Sequence, residues 1–395
     1  MREIQAFTMA ATPHIHFGVG KRAALPALLA SFGKKVLLIT GGKSFDDSPL
    51  CQALWEILNA QLDIQHERVT GEPSAMMVDD WVQKHRDFCP DVVLAIGGGS
   101  AVDAAKAVAG LLPSGDSVMD YLEGVGKGKT FAGETTPLIA MPTTAGTGGE
   151  TSKNAVLSLI GDAGYKKSFR HERLVAQHII LDPELTLSCS KATTAACGMD
   201  AFTQLLESYV SSKANPMTDA LAWSGLQKVS ASLLTAYDDG KNIQARADML
   251  YASSLSGLTL ANAGLGSVHG LASPLGAFYP IAHGVVCGTL LLEATRINIT
   301  AMTQREPEHI ALAKYADVGR LLVADDTLRQ AEALAALLQS LEYWQSHLNM
   351  PKLADYGIKR ADFEKIIANI SGGSMATNPI SLQESEIIEL LQRRL

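Results

Sequence analysis

The stretch "DVVLAIGGGSAVDAAKA" (91–107) has the pattern of a strand–turn–helix unit, because a run of buried-strand residues leads through successive glycines into an Ala-rich helix. The glycines that allow this sharp turn, and a close approach of the backbone to a ligand, are Gly97, Gly98 and Gly99. Ser100 is predicted to cap the helix, and Asp103 resembles the partner in a capping box. The start of such a helix offers free N–H groups and the positive end of its dipole, which suit a pyrophosphate. The alternative is a tight turn without a ligand. The GxGxxG fingerprint occurs nowhere suitable in the sequence, which weakens an ordinary Rossmann interpretation and leaves dinucleotide binding open.

Strand and helix signals alternate on both sides of this stretch. Further strand runs occur at 34–40, at 63–69 and from 136 onward, and helical spacing occurs at 48–60, 76–88 and 100–112. From about Thr193 strand signals nearly vanish, and Ala/Leu-rich helical segments follow at 192–213, 216–237, 243–263, 307–322, 327–347 and 361–370. This order predicts an α/β domain with a parallel sheet at residues 1–190 and an all-helical domain at residues 191–395.

Composition limits the classes of function. The chain has 395 residues, of which 47% are hydrophobic and 19% charged, with a net charge of −8. An acidic chain without a Lys/Arg run argues against nucleic acid and against an anionic membrane surface as partners. The five cysteines form no CxxC pair, which favours free thiols in a reducing compartment. No stretch reaches the roughly 18 uninterrupted apolar residues of a spanning helix, so we expect a cytoplasmic protein.

A second loop, "PTTAGTGGETS" (142–152), follows the strand that begins after 136. Its hydroxyls and glycine amides stand where the carboxyl edge of a parallel sheet meets its ligand. By itself this segment is equally compatible with an ordinary polar loop. Together with the glycine loop, it indicates the second wall of a nucleotide cleft.

The helical half contains possible metal ligands. In "GMDAFTQLLESYV" (198–210), Asp200 and Gln204 lie one helical turn apart, which is half of a metal site. His269 and His283 each precede a glycine further along the chain. Three interpretations stay open: a metal site with an amide ligand, a site that has lost its metal, and an ordinary amphipathic helix.

Taken in order, these motifs resemble those of the iron-containing (group III) alcohol dehydrogenases, from about Phe17 to "GGSMATNP" (372–379). The resemblance implies an N-terminal NAD(P)-binding domain and a helical domain that holds a divalent metal, usually iron or zinc. It also implies hydride transfer between the nicotinamide and a small alcohol or aldehyde. The cofactor residues that it carries over are Gly97, Gly98, Gly99, Ser100 and Asp103 for the pyrophosphate, Thr143, Thr144, Thr147 and Gly148 for the nicotinamide and ribose, and Lys166.

The resemblance also implies the reacting groups. Asp200, His269 and His283 match three of four metal ligands, and Gln204 occupies the fourth position, where most members have His. Ser273 stands where many members carry a further His near the substrate. With an amide ligand we expect weaker binding of Fe²⁺ or Zn²⁺, by about 1–2 orders of magnitude. The roles proposed for the reacting residues are catalysis by His269, His283 and Ser273, with metal binding by Asp200, Gln204, His269 and His283.

The end of the first long strand bears on the choice of cofactor. Many members have an Asp there that binds the adenosine ribose 2′-OH, whereas this chain has Gly41 followed by Gly42. Lys43 or Ser44 could then bind a 2′-phosphate, so we expect NADP(H) to be preferred over NAD(H).

Other functions on the same fold remain open at this point. One is a metal-independent reductase of an oxo acid, another is a dinucleotide-binding protein with a decayed metal site, and a third is a lyase similar to dehydroquinate synthase. By analogy with the family, the segment "HIHFGVG" (14–20) is expected to form the edge of a homodimer.

Overall fold

The computed structural model describes residues 6–43, 45–370 and 372–395. Its strands are β1 (His14–Phe17), β2 (Lys35–Gly41), β3 (Asp63–Val69), β4 (Val92–Gly97), β5 (Leu138–Pro142), β6 (Asn154–Leu159), β7 (Tyr165–Arg170) and β8 (His178–Leu181). Its α-helices are α1 (Leu25–Ala30), α2 (Pro49–Asn59), α3 (Ala75–His85), α4 (Gly99–Leu111), α5 (Lys191–Val210), α6 (Pro216–Asp238), α7 (Ile243–Ala263), α8 (Ser267–Phe278), α9 (His283–Arg305), α10 (Ile310–Val323), α11 (Gln330–His347), α12 (Phe363–Ala368), α13 (Gly372–Met375) and α14 (Glu384–Arg393).

Six strands form one sheet in the order β1-β8-β5-β4-β2-β3, and every neighbouring pair is parallel. The central strands are runs of apolar residues without solvent exposure, as a sheet covered on both faces requires. The predicted parallel-sheet domain and helical domain are confirmed. Since β4 and β5 are neighbours that end at Gly97 and Pro142, the glycine loop and the threonine loop leave the sheet side by side.

Two local features differ from the sequence prediction. The hairpin of β6 and β7 is antiparallel and separate from the main sheet, and the sequence analysis did not predict it. The prediction that Ser100 caps helix α4 is wrong, because the helix begins at Gly99, and its cap residue, Gly98, has no side chain. Ser100 therefore lies within the first turn, and its side chain lines a cleft instead.

The helical domain is built around α5, which packs against α6, α7 and α9. Met199, Phe202 and Leu205 of α5 have no solvent exposure and form part of the core. Polar residues on this helix are also buried, so each needs a partner inside the protein. Helix α9 has the length and hydropathy of a membrane span, but 83% of that window is buried within the protein, as in a core helix.

The two domains meet where the threonine loop touches helix α7. Gly148 has a φ of 59°, which favours glycine, and a Cβ placed there would overlap the backbone of α7. A Cβ at Gly257 of α7 would in turn overlap the Gly148 carbonyl and Thr151 Oγ1. The Thr151 hydroxyl donates to the Ser254 carbonyl of α7 at 3.0 Å. This close approach fixes the threonine loop against the helical domain.

Candidate active site

Four side chains from three helices of the helical domain lie close together. Asp200 lies on α5, His269 lies on α8, and His283 and Cys287 lie one turn apart on α9. One ligand atom from each lies within 4.8 Å of the others. Asp200 and Cys287 are buried, whereas the side chain of His283 is 24% exposed towards the cleft. Asp200, His269 and His283 were predicted to lie together, and Cys287 was not part of that prediction.

Asp200 Oδ1 lies at the centre of this cluster. It is 3.4 Å from His269 Nε2 and 3.7 Å from His283 Nε2. The Cys287 sulfur is 3.6 Å from His269 Nε2 and 3.8 Å from His283 Nε2. Two imidazoles, a carboxylate and a thiol in one buried cluster are the donor types that divalent transition metals take in proteins. These residues therefore fit the divalent metal that the sequence resemblance implies.

Glu207 orients one of the two histidines. Its carboxylate accepts a hydrogen bond from His269 Nδ1 at 2.7 Å and another from the Val268 N–H at 2.7 Å. Because a carboxylate only accepts, Nδ1 carries the proton, and in the neutral ring the lone pair of Nε2 faces Asp200. Sequence reasoning missed Glu207, although it lies two turns after Asp200 on the same helix.

Gln204 lies beside the cluster with its amide donors engaged. Its Nε2 donates to Asp200 Oδ1 at 3.3 Å and to the Thr147 carbonyl at 3.2 Å. Both neighbours are acceptors, which fixes the orientation of the amide. The amide oxygen is buried and has no partner among the described residues. Gln204 thus connects the carboxylate of Asp200 to the threonine loop.

The electrostatics of the cluster depend on its mutual contacts. Burial alone would raise the pKa of Asp200, but His283 and His269 lower it to about 2. Burial also opposes protonation of His269, yet its anionic neighbours raise its pKa well above the ordinary value. Burial lowers the pKa of His283 and raises that of Cys287 to about 12. A metal at this position would therefore displace protons, since its ligands must be deprotonated.

A cleft of about 720 Å³ leads from this cluster to the carboxyl edge of the sheet. At one end it is lined by Gly99, Ser100 and Asp103, and at the other by Gln204, His269 and His283. The N-terminus of α4 opens into it, so free amides and the helix dipole face the cavity. A ligand that lies along this cleft would contact both the glycine loop and the cluster.

The glycine and threonine loops touch each other. A Cβ added at Gly98 would lie 3.3 Å from Thr144 Oγ1, and one at Gly99 would lie 3.0 Å from Thr147 Oγ1. The Thr143 N–H donates to the Gly97 carbonyl at 2.9 Å. The structure therefore brings together the predicted cofactor residues of these two loops.

The remaining predicted cofactor residues are more scattered. Gly41 is the last residue of β2, the strand that neighbours β4. It lies close to the glycine loop, because a Cβ added at Gly97 would lie 2.9 Å from the backbone nitrogen of Gly41. Gly42 follows, and Lys43 is exposed outside the residues that line the cleft. Ser44 lies outside the described residues.

Lys166 and Ser273 face the cleft from opposite domains. The Lys166 ammonium pairs with the Glu72 carboxylate at 3.0 Å, and its side chain is only 10% exposed. The Ser273 hydroxyl donates to the Lys166 backbone carbonyl at 2.9 Å. This bond occupies the proton of Ser273 and leaves its oxygen free to accept another.

Lys106 of α4 holds the threonine loop through hydrogen bonds to its backbone. The sequence pattern did not predict this role. Lys106 is fully buried, and its ammonium donates to the carbonyls of Gly149, Ser152 and Asn154. It lies in the Ala-rich helix α4, which is buried along most of its length, and spacing along the helix gives no sign of its contact with the loop. Its role is to hold the loop in the conformation that faces the cleft.

Comparison with known proteins agrees with this geometry. The family model for iron-containing alcohol dehydrogenases matches residues 12–183, and the model of that family's C-terminal domain matches residues 194–395. Alcohol dehydrogenase 4 of Saccharomyces cerevisiae is 32% identical over 365 residues, which is 91% of each chain.

Solved structures show the same architecture. The crystal structure of a 1,3-propanediol oxidoreductase superimposes with a TM-score of 0.88 at 28% identity and covers 99% of this chain and 100% of its own. Sulfoacetaldehyde reductase from Bifidobacterium kashiwanohense, in complex with NAD⁺, gives a TM-score of 0.84 at 25% identity over 99% of both chains.

The chain belongs to the iron-containing alcohol dehydrogenase family. It is an oxidoreductase that acts on CH–OH donors, with metal-assisted exchange of hydride between a nicotinamide and an alcohol or aldehyde. Family membership implies a nicotinamide cofactor and a divalent metal, and the cluster of Asp200, His269, His283 and Cys287 has the donors to hold that metal.

Proposed function

We propose that this protein is an NADP(H)-preferring enzyme that interconverts a small primary alcohol and its aldehyde, with Fe²⁺ or Zn²⁺ held by Asp200, His269 and His283. The observation that carries the proposal is that the donor cluster and the glycine loop line one continuous cleft. The glycine loop at the start of α4 would hold the pyrophosphate of a dinucleotide, in the same cleft as His269 and His283. Buried donors in a convergent cluster also argue against a decayed metal site.

The overall reaction conserves atoms and charge: R–CH₂OH and NADP⁺ give R–CHO, NADPH and H⁺. A divalent ion at this site supplies Lewis acidity towards the alcohol or aldehyde oxygen. The chain's own residues hold and orient the reactants. Glu207 fixes the ring of His269, and Gln204 fixes Asp200 relative to Thr147. Ser273 can accept a hydrogen bond from a substrate hydroxyl while its own O–H donates to the Lys166 carbonyl.

Two alternative roles for Gln204 can be separated by experiment. As an amide ligand at the position where the family pattern has histidine, it would weaken metal binding relative to histidine. As a hydrogen-bonding residue, its unpartnered Oε1 would receive a polar group of the substrate or the nicotinamide. In Gln204→His, tighter metal binding with retained turnover supports the first role, and tighter binding with lost turnover supports the second.

The preference for NADP(H) is proposed from the end of β2. Gly41 places no carboxylate beside the adenosine ribose, so a 2′-phosphate meets no repulsion there, and the ammonium of Lys43 is nearby in sequence and exposed. We expect kcat/KM to be higher with NADPH than with NADH. Gly41→Asp should shift this ratio towards NADH by at least about tenfold, which corresponds to about 1.4 kcal/mol. A clear preference of the wild type for NADH would contradict the proposal.

The substrate is proposed to be a small alcohol or aldehyde, in line with a solved relative named for 1,3-propanediol. We would follow the oxidation of NADPH with a panel of short aldehydes and 2-oxo acids, with and without added Fe²⁺ or Zn²⁺. Turnover of aldehydes that requires the metal supports the proposal. Tight binding of NADPH without turnover of any panel member would contradict it, and metal-independent turnover of 2-oxo acids would favour the alternative reductase.

A homodimer in the cytoplasm is also proposed. Strand β1 is an edge of the sheet within the described residues, and Ile15, Phe17 and Val19 near it are 45%, 38% and 59% exposed. An exposed apolar edge strand is a ready surface for pairing with a second copy. The free cysteines are compatible with a reducing compartment. Light scattering should give twice the mass of one chain, and Phe17→Lys should lower it; a monomeric wild type would contradict the dimer.

A further inference from the structure

We propose that Cys287 is the fourth ligand of the metal and takes the place of the histidine that the family pattern has at position 204. The site is then Asp/His/His/Cys, with a thiolate from the same helix that supplies His283. This inference rests on the proposed function only in its need for a divalent metal at the cluster. It changes which metal the site favours and assigns Gln204 to a supporting role.

Four of the six distances between donor atoms are close to the edges of a tetrahedral site. With metal–nitrogen and metal–oxygen bonds of about 2.0–2.1 Å and a metal–sulfur bond of about 2.3 Å, a tetrahedron has N–O edges of about 3.3 Å and S–N edges of about 3.5–3.6 Å. The structure has N–O distances of 3.4 and 3.7 Å and S–N distances of 3.6 and 3.8 Å. The other two pairs, the two histidine Nε2 atoms and the Cys287 sulfur with Asp200 Oδ1, lie within 4.8 Å. Small movements of these side chains would therefore bring all four donors to one ion.

The surroundings of Cys287 distinguish it from two other cysteines of the chain, the exposed Cys89 and the partly buried Cys189. A structural cysteine behaves as a small apolar residue, often with its thiol on a nearby carbonyl. Cys89 donates to the Arg86 carbonyl, and Cys189 donates to the Thr143 carbonyl. The sulfur of Cys287 is directed instead at the Nε2 atoms of two histidines, which are themselves ligand atoms.

Gln204 is poorly arranged to be the fourth ligand. It presents Nε2, a hydrogen-bond donor that cannot ligate, to the Asp200 oxygen that faces both histidines. Rotating the amide by half a turn would set its oxygen against Asp200 and the Thr147 carbonyl, and both are acceptors. Gln204 therefore serves as a donor that fixes the carboxylate of Asp200.

A thiolate ligand has consequences for the choice of metal. Thiolates favour Zn²⁺ and other softer ions over Mg²⁺ and Mn²⁺, which prefer oxygen ligands. The thiol gives its proton to solvent when the metal binds, so the ligand is an anion. We therefore expect the site to select Zn²⁺ and Co²⁺ over Mn²⁺ more strongly than a site of carboxylate, amide and imidazole would.

The test uses the full chain loaded with Co²⁺, whose absorption reports its ligands. The wild type should show an intense near-ultraviolet band from thiolate-to-cobalt charge transfer. Cys287→Ser should still bind Co²⁺, without this band, and its Zn²⁺ affinity should fall by at least about tenfold. Cys51→Ser, at a buried cysteine on α2, is the matched control and should keep both the band and the affinity. Gln204→Ala should also keep the band, and thermal unfolding of each variant checks that it is folded.

Three results would overturn the assignment. A wild type that binds Co²⁺ and shows only weak visible bands has no thiolate ligand, although the proposed metal-assisted reaction would stand. A Cys287→Ser protein with an unchanged band and unchanged Zn²⁺ affinity would show that Cys287 is neither the source of the band nor a ligand. A folded wild type that binds no Co²⁺ or Zn²⁺ would remove both the assignment and the metal in the proposed function.

Discussion

Replacing Glu207 by glutamine should weaken metal binding without touching a ligand. In the wild type, one carboxylate oxygen accepts from the Val268 N–H and the other accepts from His269 Nδ1, each at 2.7 Å. The glutamine oxygen can keep only one of these bonds. If it stays on Val268, its NH₂ group faces Nδ1, and the ring must move its proton to Nε2 to accept from it. That tautomer directs an N–H, instead of a lone pair, at the metal position.

The size of the effect follows from the loss of this one orienting bond. Removing the hydrogen-bond partner of a metal-bound histidine typically costs about 10–100-fold in affinity, which corresponds to about 1.4–2.7 kcal/mol. Glu207 is buried, so solvent cannot replace the lost acceptor. We therefore expect Glu207→Gln to bind Zn²⁺ about 10–100-fold more weakly than the wild type.

Competition with a chromogenic chelator at fixed pH measures this affinity directly. Glu293→Gln is the matched control, because Glu293 is also buried, lies on α9 and pairs with Arg296 away from the cluster. The control should bind Zn²⁺ as the wild type does. A folded Glu207→Gln protein with wild-type affinity for Zn²⁺ would refute the idea that Glu207 sets the tautomer of His269.

Two further predictions concern the threonine loop. Gly257→Ala should push this loop away from α7, destabilise the protein by about 1–3 kcal/mol and raise KM for the nicotinamide cofactor. Gly372→Ala, which has open space around it, is the control and should change neither stability nor KM. Equal KM values in both variants would contradict this prediction. Burial raises the pKa of Glu150 from 4.5 to about 7, so the folded state holds its proton more tightly than the unfolded state does, and stability from this group is lost as pH rises from about 4.5 to 7. The free energy of unfolding should fall by about 3 kcal/mol over this pH range. Urea unfolding at several pH values measures this fall, and Glu150→Gln should abolish it. The same pH dependence in the wild type and in Glu150→Gln would show that Glu150 titrates normally.

The parallel sheet could be predicted because its strands are continuous apolar runs. Residues 34–40 and 91–97 have no other stable place than a sheet covered on both faces, and the observed strands β2 and β4 are buried along most of their length. The hairpin of β6 and β7 was missed for the opposite reason. "YKKSFR" (165–170) is charged and only half buried, because it lines the cleft instead of the core.

The cluster of ligands could be predicted only in part. Asp200, His269 and His283 are residue types that attract attention, and the ordered family pattern connects them across the chain. Cys287 shares the one-turn spacing with His283, but five scattered cysteines gave no reason to single it out. Glu207 looks like any glutamate on an amphipathic helix until α8 is known to pack beside α5, so its role depends on tertiary contacts that sequence spacing does not contain.

Bound metal and turnover, measured in the same samples, test directly whether the reaction depends on a metal at the cluster. The protein would be stripped with a chelator, reloaded stepwise with Zn²⁺ or Fe²⁺, and assayed for NADPH oxidation with a small aldehyde. We predict that turnover rises in proportion to bound metal up to a single ion per chain, and that Asp200→Asn neither retains the ion nor turns over. Full turnover in the stripped protein, or none in the fully loaded protein with any aldehyde of the panel, would contradict the account of a metal-assisted dehydrogenase.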